Sequence, residues 1–187
     1  MEKTGKTLIR TVVAIGIGSA LFVALTTVQI PLGFIPNTAL QVRSAVLAFF
    51  AAVFGPVAGL AIGLIGHALG DALFYGSVWW SWVIPDGVFG LLVGLFAKNY
   101  AVEQGGFKVK ACVLFNVVQV LANAVAWIVC APVFDILIYK EPANKVFAQG
   151  FAAFIANMIV VAVLGSLLAW VYSRIKTSSS SLKAENE

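Results

Sequence analysis

From Ala39 to Leu73 the chain is almost unbroken apolar sequence, interrupted chiefly by Arg43, His67, Asp71 and the pair Gly55-Pro56. A single helix over that stretch would be about 50 Å long, too long for a hydrocarbon core of about 30 Å. Two helices turning at Gly55-Pro56 fit, because glycine and proline both punctuate helices. Similar stretches precede and follow it, and apolar residues make up 61% of the chain against 11% charged. Surface-to-volume scaling leaves most residues of a small domain near water, so one soluble core cannot hide this excess. The same figures exclude disorder and a disulfide-rich secreted scaffold. Cys112 and Cys130 fall on one predicted helix, about 27 Å apart, beyond disulfide reach.

The remaining spans are Leu8 to Thr27, Val83 to Ala97, Lys110 to Phe134 and Val146 to Tyr172. The expected fold is therefore an all-α integral membrane protein with six transmembrane helices, a single membrane domain over residues 1–176. Residues 177–187 are expected to form a disordered cytoplasmic tail. The loop Val28 to Thr38 is unusually apolar and is expected to fold back over the outer mouth. With both termini cytoplasmic, Lys3, Lys6, Arg10, Lys98, Lys108, Lys110, Arg174, Lys176 and Lys183 lie inside. Only Arg43, Lys140 and Lys145 lie outside, as the positive-inside rule requires. Basic residues at span ends are a topology signal, not a nucleic-acid footprint, so no nucleic-acid partner is expected.

This orientation places most of the polar intramembrane groups in the outer half. His67 and Asp71 sit one turn apart near the outer end of span three, either as a structural pair or as ligand contacts. Asn116, Gln119, Asn123 and Trp127 form one helical stripe on span five, and span six adds Gln149 and Asn157. Polar residues at membrane depth face a cavity or the bundle interior. The stripe therefore either hydrogen-bonds helices together or joins Asn37, Trp79, Trp80, Trp82 and Asp86 in a pocket for a flat polar molecule. The tryptophans also suit an interfacial belt, and Asp86 suits a helix cap.

No nucleophile–base pair, HExxH motif or metal set is present, so neither an enzyme nor a resident metal or covalent cofactor is expected. There is no GxxxxGK[ST] phosphate loop and no room for an ATPase domain, so ATP hydrolysis must belong to another chain. A stand-alone secondary transporter of a small organic solute is the competing possibility. Small residues recur on span one as Ala14 and Gly18, beside Gly16, Ala20 and Ala24, and on span three as Gly59, Gly63, Gly66 and Gly70. Such faces admit close helix approach.

The segments VVAIGIGSALF and FGPVAGLAIGLIGHALGDALFYGSVWWSWVIPDGVFGLLVGLF resemble the S components of energy-coupling factor (ECF) vitamin transporters, specifically the riboflavin-transporter-like S-component family. The resemblance implies a cell-membrane subunit that captures a vitamin or precursor at the outer face. Riboflavin, hydroxymethylpyrimidine (a thiamine precursor) and pyridoxine-type rings are the candidate ligands. It also implies a transmembrane coupling subunit and two ATP-binding subunits as partners. Ala14 and Gly18 stand where the family's AxxxA coupling motif is expected, with glycine in place of the second alanine.

Overall fold

The computed structural model describes residues 2–33, 35 and 38–184, with side-chain placement for 7–33, 35 and 38–177. Asn37 lies outside the described residues. Helix α1 (Glu2–Ala24) leads into a two-stranded antiparallel hairpin, β1 (Gln29–Pro31) and β2 (Ala39–Gln41), with Ile30 opposite Leu40. Then follow α2 (Arg43–Phe54), α3 (Pro56–Phe74), α4 (Trp80–Gly94) and the single turn α5 (Ala97–Tyr100). Helix α6 (Val109–Asn123) continues through a π-helical stretch (Ala124–Cys130), α7 (Ala131–Phe134) and a second π-helical stretch (Asp135–Tyr139). Helix α8 (Ala143–Val160) continues through a third (Val161–Gly165) into α9 (Ser166–Ala184).

Four helical segments are long and apolar enough to cross a membrane: Thr7–Ala24, Pro56–Phe74, Val109–Tyr139 and Ala143–Thr177. Helices α2 and α4 are apolar but shorter. The α2–α3 turn falls at Gly55-Pro56, where Gly55 has a φ of +88° and proline opens α3. Beyond Tyr172, α9 stays helical to Ala184, into the stretch expected to be a disordered tail.

The outer surface is apolar. Val113, Val117, Leu121, Val125 and Val129 form one exposed ribbon, and Phe147, Phe151, Ile155, Ile159 and Val163 form another. A four-residue repeat on one helix face, exposed rather than buried, is what a lipid-facing surface requires.

Inside, α3 is the central helix and its glycines face two ways. A Cβ on Gly59 would strike the Gly90 carbonyl of α4, and one on Gly63 would strike the Asp86 backbone. On the other side, Gly66 backs onto Phe22 of α1 and Gly70 onto Thr26, just past its end. These contacts hold α4 at backbone distance from α3 and seat the side chains of α1's C-terminal end closely against it.

Arg10 pairs with Glu103, and the Phe107 N–H donates to Ser173 Oγ at 3.2 Å. The start of α1, the 95–108 connection and α9 therefore share one end of the bundle. At the other end α2 stops at Arg43, level with His67, while α3 runs on to Phe74. That difference is about 10 Å of helix. It leaves a hollow over α2, and the β1–β2 hairpin roofs it.

Candidate functional site

The hollow is a cavity of about 650 Å³, within the range of small-molecule sites. The hairpin roof contributes Gln29, Leu32, Thr38 and Gln41, so the apolar loop folds over the mouth of the bundle. Arg43, His67 and Asp71 form the floor; Trp79, Trp82 and Trp127 line one side; Gln149 and Asn157 of α8 line another.

The floor is a buried charge network. Arg43 Nε donates to Gln41 Oε1 at 2.6 Å and Nη1 to Thr26 Oγ1 at 3.2 Å. Nη2 lies 3.2 Å from His67 Nε2, and the guanidinium carbon sits 4.7 Å from the centre of the Phe22 ring. His67 Nε2 therefore sits between the Arg43 guanidinium and the Asp71 carboxylate. His67 Nδ1 faces Asp86 Oδ2 at 2.7 Å. Asp71 Oδ1 is 3.4 Å from His67 Nε2, and Asp71 Oδ2 accepts the Trp79 backbone N–H at 3.1 Å. The histidine thus links α2, α3 and α4 in one network.

The aromatic side is organised by Asp135, on the second π-helical stretch. Its carboxylate accepts from Trp79 Nε1 and Trp82 Nε1, both at 2.8 Å, and from the Ser81 hydroxyl. Trp79 stacks on Tyr139 at 4.2 Å, and Trp82 meets Trp127 with ring centres 5.4 Å apart. Both the Trp127 and Asp135 segments are π-helical, a form that recurs at functional sites because the extra residue re-aims side chains.

The residues singled out in the sequence divide accordingly. His67, Asp71, Trp79, Trp82, Trp127 and Asn157 line the cavity. Trp80 is half-exposed on the outer surface, its backbone N–H donating to Tyr139 Oη at 3.0 Å. Asp86 lies inside α4 beneath His67, off the cavity wall and not at a helix start. Gln119 and Asn123 are fully buried away from the cavity. Asn123 Nδ2 donates to Gln119 Oε1 at 2.9 Å, Gln119 Nε2 to the Met158 carbonyl at 3.3 Å and Asn116 Nδ2 to Ser166 Oγ at 2.9 Å. In this structure the polar stripe ties α6 to the 143–177 helical segment. Asn123→Ala should therefore lower the melting temperature, through the loss of roughly 1–3 kcal/mol of buried hydrogen bonding, and leave ligand affinity unchanged. A titration and a melt on one sample check this; weakened affinity in a fully stable variant would return Asn123 to the site. Arg43, Gln41 and Asp135 enter the site without having been singled out for it.

Ala14 and Gly18, singled out as the coupling pair, face into the bundle. Ala14 is buried, and a Cβ on Gly18 would collide with Ile62 and Phe50. This pair packs α1 inward, whereas Gly16, Ala20 and Ala24 are the small residues left open on α1. Gly16 has nothing within 4 Å of where its Cβ would stand.

Residues 6–174 match the family described as the ECF-type riboflavin transporter, S component. The chain is 52% identical over 177 residues to a UPF0397 protein of Streptococcus gordonii, covering 95% of both chains. It is 50% identical to a UPF0397 protein of Exiguobacterium sp., over 93% of this chain and 95% of the relative. With a UPF0397 protein of Clostridium perfringens it shares 48% identity, over 98% and 99% of the two chains.

Proposed function

This chain belongs to the family of ECF-type riboflavin transporter S components, integral membrane transport proteins, and we propose that its cavity captures a vitamin or vitamin precursor for ATP-driven uptake. The cavity itself carries the reading: an aromatic and amide-lined chamber at one end of the bundle, opposite the end where Arg10, Lys98, Lys108, Arg174 and Lys176 gather. The positive-inside rule then makes the cavity end the outer one. In this reading the two short apolar helices also cross the bilayer, giving six spans with both termini cytoplasmic. Riboflavin, hydroxymethylpyrimidine and pyridoxine-type rings are the candidate cargoes, and identification of the small molecule that co-purifies in mild detergent decides among them.

S components of the ECF family work with a coupling subunit and ATPase subunits. For this chain the coupling surface is proposed on the open side of α1. Gly16, Ala20 and Ala24 border a shallow apolar groove completed by Ile65, Leu69 and Leu73 of α3. Ser19 Oγ, buried there, has no hydrogen-bond partner among the described residues. A helix of the coupling subunit laid in the groove would cover the small residues. Ala20→Trp should abolish co-purification with the coupling subunit and leave the melting temperature unchanged. Gly18→Trp should instead destabilise the isolated chain. Unaltered association of Ala20→Trp would remove this face from the interface.

Reconstituted alone, the chain should bind its ligand and show no concentrative uptake; added coupling and ATPase subunits should supply it. Uptake by the lone chain on an ion gradient would establish the secondary-transporter alternative.

A further inference from the structure

The cavity's charges do not balance. Asp71, Asp135 and Glu141 line it and Asp86 lies directly beneath, against two permanent cations, Arg43 and Lys145. Lys145 is committed at the rim, 2.6 Å from Glu141. Arg43 is committed at the floor, to Gln41, Thr26 and His67. Even with His67, which lies between Asp71 and Asp86, counted as a third cation, one negative charge is left over. Asp135 is 2% exposed, and none of the ion pairs among the described residues includes it.

Two indole N–H groups and a hydroxyl satisfy the lone pairs of Asp135 but bring no charge. A buried carboxylate without a counter-ion is costly. Around it stand Trp79, Trp82 and Trp127, the side chains whose faces best attract a cation. A carboxylate ringed by indoles is chemistry that selects positive charge in a flat molecule.

We propose that the cargo is a heteroaromatic cation, of the aminopyrimidinium, pyridinium or thiazolium kind, whose positive charge is met by Asp135 and the tryptophan wall. This rests on the proposed capture of a small molecule in this cavity and adds the charge that molecule must carry. A neutral three-ring flavin lacks that charge and would leave Asp135 uncompensated.

The test is equilibrium dialysis of the purified full-length chain against thiamine, hydroxymethylpyrimidine, pyridoxamine and riboflavin, with mass spectrometry of whatever co-purifies. The expected result is that at least one of the first three binds tenfold or more tighter than riboflavin. Asp135→Asn, which removes the charge but keeps an acceptor oxygen, should erase that preference, and Asp135→Glu should retain part of it. The wild-type comparison stands even if both variants fail to fold. Riboflavin as the tightest ligand overturns the charge assignment while leaving vitamin capture intact. So does a cation preference that survives in folded Asp135→Asn. If none of the four binds, a co-purifying cation supports the proposal and a neutral or anionic one overturns it. No binding and no co-purifying molecule overturns capture in this cavity as well.

Discussion

Arg43→Met is expected to be among the most damaging single substitutions at the cavity end of the molecule. Arg43 is 3% exposed and meets Gln41, Thr26 and His67 in three different directions. Removing it takes the one permanent cation from the network in which His67 joins the buried carboxylates Asp71 and Asp86. Breaking a buried ionic network by deleting one partner costs about 3–5 kcal/mol, most of it the penalty on the charge left behind. A drop of roughly 10 °C in melting temperature in detergent is the expected reading. Arg43→Lys should recover little, because a compact ammonium cannot reach at once the three groups that the broad planar guanidinium spans. Adding Asp71→Asn to Arg43→Met should recover part of the loss, since it removes one orphaned charge; the two sites share a network, so their effects should not add. A melt of Arg43→Met matching wild type would show that packing, not charge, holds α2 against α3.

The apolar helices were legible in the sequence because each is a run of apolar residues ended by a charge cluster, glycine or proline; the α2–α3 turn at Gly55-Pro56 is the clearest case. The cavity was legible in part. His67, Asp71, Trp79 and Trp82 are polar or amphipathic groups where lipid exposure would be penalised, and they converge at one end. Gln119 and Asn123 carry the same signal for a different reason, because hydrogen bonding between helices also needs amides at membrane depth. Periodicity places them on the stripe of Trp127, but the π-helical stretch from Ala124 separates the cavity-lining tryptophan from the amides below it. Asp135 gives no local signal: its partners Trp79, Ser81 and Trp82 lie more than fifty positions away. Arg43 was read as an outer-side charge because charge counting says nothing of burial. On α1 the sequence cannot tell the inward small residues from the outward ones. Ala14 and Gly18 stand two residues from Gly16 and Ala20, about 200° around the helix, so inward and outward small faces look alike in the sequence.

The contact between α3 and α4 supports the other large expectation. Gly59 and Gly90 oppose each other so closely that a Cβ on either would overlap the other's carbonyl group. The obstacle is backbone, which cannot rotate away as a flexible side chain can. Overpacking a core that can adjust costs about 1–3 kcal/mol; here both helices must separate, so Gly59→Val and Gly90→Val are expected to give no monodisperse folded protein. The consequence reaches the cavity, because α3 carries His67 and Asp71 while α4 carries Trp82 and Asp86. A smaller insult should show this coupling: Gly59→Ala, if it folds, should weaken ligand binding although residue 59 is far from the cavity wall, because α4 must move outward and carry Asp86 from His67. Gly16→Ala is the matched control, with the same added methyl group on a helix face where nothing stands within 4 Å, and it should leave both melting temperature and affinity at wild-type values. Size-exclusion profiles, melts and binding measured on these four variants test the point together. A Gly59→Val protein that purifies as a single species with wild-type stability would mean that α3 and α4 do not meet at backbone distance.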